Sequence, residues 1–385
     1  MHVPHRTTGS LHSESAAPQG RAHNFNAGPG ALPVPVLAAA RAALCELPGA
    51  GVTILEVSHR SAEFEEILAE TEANVRALLG IDDAWAVLFL QGGARQQFAL
   101  IPINFLAGGG RRAEYVVSGY WSRTAHAEAA LAGSSAVLWD GAGEHYRRMP
   151  RPDELVLPAA RRAATAYVHY TVNETIEGTQ LQELPKFGAV PAICDASSEI
   201  LSRPLPLERC AMVYASAQKN LGPAGLTLVA VRRDLLERAA PALPAMFDYR
   251  RLAAARSLLN TPPVFAIYVT LLVTRWIRDE IGGLEEMARR NRAKAQILYQ
   301  VLDESGGFYR GHALPESRSH MNVTWRLADP ASEPMFLEQA SAAGFMGLAG
   351  HRSVGGLRAS LYNAVSPASC RELAAFMKEF VRCHG

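Results

Sequence analysis

The sequence predicts an α/β fold, a mostly parallel seven-stranded sheet between helices, with a smaller α+β unit after it. Three observations predict it: seven short apolar runs recur between residues 84 and 231, helical segments separate most of them, and near residue 264 the texture changes to long helical patterns. Strands that alternate with helices are joined by crossovers. The sheet is therefore largely parallel and covered on both faces, and ligands of such sheets sit beyond the carboxyl ends of the strands.

The elements follow in chain order. Residues 1–23 are polar and rich in His, Ser and Pro, lack the apolar stretch of a signal peptide, and read as a disordered tail. From Ser61 to Leu79, Phe64, Ile67, Leu68, Val75, Leu78 and Leu79 fall at helical spacing, and Gly80 is placed to stop that helix. AWAVLFL (84–90) reads as a buried strand, followed by Gly92-Gly93 and another helix. Further strands are expected at 115–119, 136–140, 165–170, 192–196, 212–216 and 226–231. After residue 264 come two long helical patterns, with MNVTW and LRASLYNA as strand candidates behind them. The expected division is a tail over 1–23, a large α/β domain over 24–284 whose N-terminal arm is free to pack on the small domain, and a small α+β domain over 285–385.

Bulk properties exclude several classes. With 38 basic and 37 acidic residues the formal net charge is +1, so no long-range field draws the molecule to nucleic acid or an acidic membrane. The five cysteines (45, 194, 210, 370 and 383) show no metal-ligand spacing and make a poor disulfide framework, which points to reduced thiols and the cytoplasm. No apolar run approaches the roughly 18 residues of a membrane span.

Lysine usage is the sharpest compositional signal. Only Lys186, Lys219, Lys294 and Lys378 occur, so arginine supplies the bare positive charge almost everywhere. Lys294 and Lys378 lie in helical patterns and are expected to be solvated; Lys186 follows a proline in a loop. Lys219, in YASAQKNLGPAG, follows a strand among small residues and glycines, where an amine that forms a Schiff base could reach a ring from a tight loop. Asp195 ends the strand AICDA, and in a parallel sheet it would emerge at the same edge as Lys219. A carboxylate there can pair with a protonated pyridine nitrogen, although an aspartate after a strand serves equally as a helix N-cap.

Other candidates are weaker alone. LFLQGGARQQF (88–98) has the strand, glycines and helix start that offer backbone N–H groups to a phosphate, or it is a plain glycine turn. Trp121 could lie flat on a cofactor ring or belong to the core. Thr175 could bond a cofactor or simply shape a turn.

Taken together, HYTVNETIEG, CDASSEILSRPL, YASAQKNLGPAG, LNTPPVFAIY and GHRSVGGLRASLYNA resemble, in order and spacing, the phosphoserine aminotransferase family of fold-type-I, class V pyridoxal-phosphate enzymes. The resemblance runs from Asn24 to near the C-terminus. It implies pyridoxal 5'-phosphate bound on Lys219, with Asp195 as pyridinium partner and Trp121 as stacking residue. Ala94, Arg95, Thr175 and Gln218 would also contact the cofactor, and Asn260 and Thr261 would reach it from a neighbouring subunit, which makes the site depend on a homodimer. Arg358 would hold the substrate α-carboxylate. His59 and Arg60 of the second subunit, with His351, Arg352 and Arg95, would face a phosphate or γ-carboxylate. The implied reaction is reversible transfer of an amino group between glutamate and 3-phosphohydroxypyruvate in serine biosynthesis, with phosphohydroxythreonine of pyridoxine biosynthesis left open as a further substrate.

Five positions depart from the family pattern: Asn26 and Ala27 where serines are frequent, Ala94 for a glycine, His320 for an arginine and Ala349 for a lysine. They bear on substrate preference and leave Lys219 and Asp195 untouched. Two other readings stand beside this one: a glyoxylate-using aminotransferase of the same fold type, and a non-catalytic phosphate-binding α/β protein. A cysteine desulfurase would need a nucleophilic cysteine in a mobile loop, and no motif carries one.

Overall fold

The computed structural model describes residues 20–107 and 110–385. The tail expected over 1–23 lies outside the described residues as far as position 19. Its end is ordered: Arg21 donates to Leu32 O at 3.2 Å, and His23–Asn24 forms a short strand beside Phe345–Met346.

All seven expected strands form one sheet, in the spatial order Trp85–Gln91, Leu226–Arg232, Met212–Ser216, Ala192–Asp195, Thr165–Thr171, Arg112–Val117 and Ser135–Asp140. Leu226–Arg232 runs antiparallel to both its neighbours and the other pairings are parallel. Alternate side chains feed two separate cores, with Val87, Phe89, Val168 and Tyr170 on one face and Leu88, Leu90, Tyr115 and Tyr167 on the other. A strand buried on both sides is mostly apolar, and that is why these segments read as nearly continuous runs.

The helix Ala62–Leu79 shows how local sequence sets its own limits. Ser61 Oγ accepts from Phe64 N at 3.4 Å, Glu63 and Glu65 complement the dipole of the first turn, and Gly80 closes the helix at φ 64°, a conformation costly for residues with a Cβ. Its buried face packs on Val264–Arg275, where Asn74 Nδ2 donates to Thr274 Oγ1 at 3.3 Å.

A third core lies apart from the sheet. Leu298, Leu302, Trp325, Phe336, Leu373 and Phe380 belong to it, built on the helices Leu284–Glu304 and Pro367–His384 and the strands Tyr309–Gly311, Asn322–Leu327 and Leu357–Ser360. Phe25 is also part of this core, and its carbonyl accepts from Ser360 N at 3.1 Å.

Lys294 corrects an expectation. Its arginine-rich surroundings suggested a solvated side chain, yet it is 1% exposed. Asn291, Lys294 and Leu298 lie at helical spacing on the buried stripe of Leu284–Glu304, and Lys294 Nζ donates to the carbonyls of Leu361, Tyr362 and Val365 at 2.8, 2.9 and 3.0 Å. Burial pushes its amine down to about 8. The three bonds fix the turn behind Arg358, and Tyr362 in that turn donates to Ala27 O at 2.8 Å. Lys294→Met keeps the shape but removes all three bonds, and of the three carbonyls Tyr362 O keeps a donor in Val365 N at 2.8 Å. It is expected to destabilise the fold by about 2–3 kcal/mol, read as a lower urea midpoint at unchanged slope; an unaltered midpoint would show that the bonds contribute nothing net.

Candidate active site

The parallel strands end along one edge of the sheet, so the segments that leave it converge there: Gly92-Gly93, Ser118-Gly119, Val172–Thr175, Ala196–Ser198 and Ala217–Lys219. Register brings Thr171, Asp195 and Tyr214 side by side.

Lys219 is 9% exposed at this edge. Its Nζ donates to Thr175 Oγ1 at 2.7 Å and Ser198 Oγ at 2.6 Å, and lies 6.0 Å from the centre of the Trp121 ring. The backbone around it is packed tightly. A Cβ on Gly30 would meet the Tyr362 ring at 2.7 Å and Lys219 O at 3.3 Å, so only glycine admits the N-terminal arm against the lysine loop. Asn220 Oδ1 accepts from Asn363 N at 3.0 Å and ties that loop to the segment after Arg358.

Asp195 is buried, and its Oδ1 accepts from Ser197 N at 2.8 Å. Burial pushes its carboxyl above the usual range, while the Ser197 bonds and the charge of Lys219 pull it back. A cation placed beside it would complete that compensation. Tyr214, bonded to Asp195, also meets His169 Nε2 at 2.8 Å, and burial holds His169 down at about 3, so its ring is neutral. Sequence reasoning missed Tyr214 and His169. The strand register of Tyr214 beside Asp195 was the signal that could have found them.

Two further buried acids escaped notice although both lie in NETIEG. Glu174 accepts from Trp121 N at 3.1 Å and Ser122 N at 3.0 Å, and Glu177 accepts from Tyr120 N at 2.9 Å, so two carboxylates occupy the start of the helix Tyr120–Ala132. A Cβ on Gly119 would meet the carboxyl carbons of both at 2.7 Å. Burial, and then the charge of Glu174, push the Glu177 carboxyl upward. A group raised on folding contributes stability below its unfolded value and loses it as pH rises through the folded one. Stability is therefore expected to fall as pH rises from about 4.5 towards neutral, and Glu177→Gln, which keeps the acceptor for Tyr120 N, is expected to flatten that fall. Parallel pH–stability curves for variant and parent would count against it.

Cations gather on the side facing the third core. Arg358 is 9% exposed and donates to Thr175 O at 3.5 Å, and its Nε has no partner. His351 lies 5.2 Å, ring to ring, from Tyr120; burial and then the charges of Arg358, Arg352 and Arg95 lower its pKa. Arg95 donates to Tyr120 OH at 3.2 Å and stands 5.5 Å from the Trp121 ring centre. Gln218 Oε1 accepts from Ser216 Oγ at 2.6 Å.

The expected site residues thus divide. Lys219, Asp195, Trp121, Thr175, Gln218, Ala94, Arg95, His351, Arg352 and Arg358 gather at this edge. His59 is half-buried and Arg60 exposed, and neither is tied to that cluster. Asn260 and Thr261 are exposed and held by Gln91 of their own chain, through Asn260 Nδ2 to Gln91 Oε1 at 3.1 Å and Gln91 Nε2 to Thr261 O at 2.7 Å. Of the departures, His320 lies elsewhere, in a surface hollow with Gln182, Arg292 and Arg318.

The donors fit a planar, phosphate-bearing cofactor. A buried amine, an aromatic face and a buried carboxylate lie together at one edge of the sheet. At its side the helix Ala94–Phe105 starts at Gly93 with no side-chain cap, which leaves the Ala94 and Arg95 amides free for an anion. The Trp121 Nε1–H is likewise buried without a partner.

Comparison with known proteins agrees. The family model for class-V aminotransferases matches residues 22–373. A phosphoserine aminotransferase of Shouchella clausii is 47% identical over 362 residues, covering 94% of this chain and 97% of that one. Among solved structures, the phosphoserine aminotransferase of Bacillus circulans subsp. alkalophilus superposes with a TM-score of 0.91 at 48% identity, covering 95% of this chain and 99% of that one. A pyridoxal-phosphate-bound phosphoserine aminotransferase of Trichomonas vaginalis gives 0.86 at 34% identity, over 93% of this chain and 100% of that one.

Proposed function

The chain belongs to the class-V aminotransferases, and from that premise we propose that it catalyses reversible transamination between glutamate and 3-phosphohydroxypyruvate, yielding 2-oxoglutarate and phosphoserine for serine synthesis. Its cofactor is pyridoxal 5'-phosphate. The observation that carries this reading is the buried Lys219 amine near the Trp121 ring, its charge acting on the buried Asp195, with Arg358 bonded to Thr175, which Lys219 also meets.

When bound, the cofactor supplies a carbon that takes up the amino group and a ring that draws the electron pair left at the substrate Cα. The chain's own residues do the rest. Lys219 would hold the cofactor covalently and, when displaced by substrate, its Nζ would take the proton from Cα and pass it to the cofactor carbon that receives the amino group. The Thr175 and Ser198 hydroxyls keep that amine in place. Asp195 would keep the ring nitrogen protonated, Trp121 would cover one ring face, and the Ala94 and Arg95 amides, with Thr175 and Gln218, would anchor the remainder. Arg358, whose guanidinium fork suits a carboxylate, would bind the α-carboxylate. His351, Arg352 and Arg95 would receive the distal anion, and Trp121 and the N-terminal arm would limit water.

We infer a homodimer whose active sites are shared. We infer that Asn260, Thr261, His59 and Arg60 act in the site of a second copy. Supporting this are the exposure of Arg60, Asn260 and Thr261 and the exposed apolar side chains Leu37, Leu44, Leu55, Phe247 and Leu259. A large domain over 24–284 and a small one over 285–385 are supported by the separate third core, and a reducing, cytoplasmic setting by the five free thiols. No described helix is long and apolar enough to cross a membrane.

A substrate panel tests the reading. With glutamate as donor, kcat/KM for 3-phosphohydroxypyruvate is expected to exceed that for glyoxylate or hydroxypyruvate by about a hundredfold or more, because a second anion meets charge-assisted hydrogen bonds that the smaller acceptors leave unmade. Equal use of glyoxylate would favour a glyoxylate-using aminotransferase.

A further inference from the structure

A second hollow, of about 640 Å³, opens beside Arg358, between the small three-stranded sheet and the turn after Ser135–Asp140. Its wall is cationic. Arg147, Arg310, Arg326 and Arg358 line it with His312, and Glu177 is the one carboxylate among the described residues of the wall.

Among the described residues no carboxylate forms an ion pair with these arginines. Arg147 Nε donates to His312 O at 3.1 Å, Arg326 to Val354 O and Arg358 to Thr175 O at 3.5 Å, all uncharged carbonyls. Elsewhere in the chain, comparable arginines meet carboxylates, as in Arg318–Asp303 at 2.5 Å and Arg289–Glu286 at 2.7 Å. Glu177 gives little relief, because burial favours its uncharged form.

Two independent features mark the hollow as built to hold something. Three buried atoms of its wall residues, His312 Nε2, Glu177 Oε2 and Arg358 Nε, have no hydrogen-bond partner, whereas buried polar atoms are ordinarily satisfied. At the rim, His145 and Tyr146 are consecutive non-glycine residues in the left-handed region, at φ 51° and 56°. Such strain persists where surrounding structure demands it, and it clusters at ligand sites.

We propose that this hollow is a second anion site, for a compact dianion of the phosphate class, held by Arg147, Arg310 and Arg326 with Arg358 behind them. Several guanidiniums around one hollow suit tetrahedral oxyanions with two charges better than a single carboxylate. Arg326 also holds Val354, which follows His351 and Arg352, so an anion here bears on the segment that carries those two residues. The proposal does not depend on the transamination reading.

Equilibrium dialysis of the cofactor-loaded enzyme against radiolabelled inorganic phosphate tests it. Arg147→Gln/Arg310→Gln, which spares every residue assigned to the reaction, is expected to lose one phosphate per subunit or to bind it about tenfold more weakly or worse, with kcat and visible spectrum retained. Competition by glycerol phosphate distinguishes an organic monoester, if it displaces the label as well as phosphate does, from free phosphate, if it does not. Unchanged stoichiometry and affinity in the double variant would overturn the proposal. So would displacement by chloride at equal ionic strength, which would mean an adventitious ion only. Should the double variant fold poorly, the exposed Arg310→Gln alone carries the same expectation and the same refutation.

Discussion

Lys219→Ala is expected to lower kcat by about ten-thousand-fold or more, the scale on which removal of a covalent and proton-transferring group is felt. No other amine can take over. Lys294 Nζ is bound to three carbonyls in another core, and Lys186 and Lys378 are exposed on the surface. The loss should not be one of folding. Thr175 Oγ1 and Ser198 Oγ bond each other at 2.6 Å, and this contact survives without the lysine. Release of 2-oxoglutarate from glutamate measures the effect, together with borohydride fixation of the yellow cofactor, which should label Lys219 in the parent and nothing in the variant. Near-normal turnover would remove the mechanism, whatever the fold.

Asp195→Asn comes second, with an expected fall in kcat of about 10²- to 10⁴-fold. Asparagine keeps the size of the side chain and an oxygen for Ser197 N, so the loop is held while the charge is removed. What would disappear is the proposed buried ion pair with the ring nitrogen. Breaking such a pair costs about 3–5 kcal/mol, and each 1.4 kcal/mol at the barrier is about tenfold in rate. The neutral His169 and the bonded Tyr214 behind it supply no replacement charge. Both half-reactions should slow together, because in each an electron pair left at a substrate Cα would have to be drawn off by the same ring. A change below tenfold, measured in single turnovers with each substrate, would take Asp195 out of the role.

The legible part of the fold was the part written in local periodicity. Every sheet strand lies close to its expected span, and Ser61 and Gly80 mark the ends of their helix because capping is a matter of neighbouring atoms. Lys219 and Asp195 stood out for a similar reason, an unusual residue at or just beyond the end of a strand. Lys294 was misjudged because composition spoke louder than phase: arginines surround it, but its position on the helix stripe decides its burial. Glu174 and Glu177 were hidden in the same way. Nothing in NETIEG announces that both carboxyls turn into the start of a helix more than fifty residues earlier.

From the chain alone, then, came the seven strands, their alternation with helices, and the amine and acid at their ends, since each depends on residues a few positions apart. Tertiary structure alone decided which groups meet: Tyr214 with Asp195, Arg358 with Thr175, Lys294 with the turn behind Arg358, and the unpaired arginines around one hollow. Those contacts join segments far apart in sequence. Burial and the fields of distant charges set their chemistry, and neither quantity exists until the chain has closed on itself.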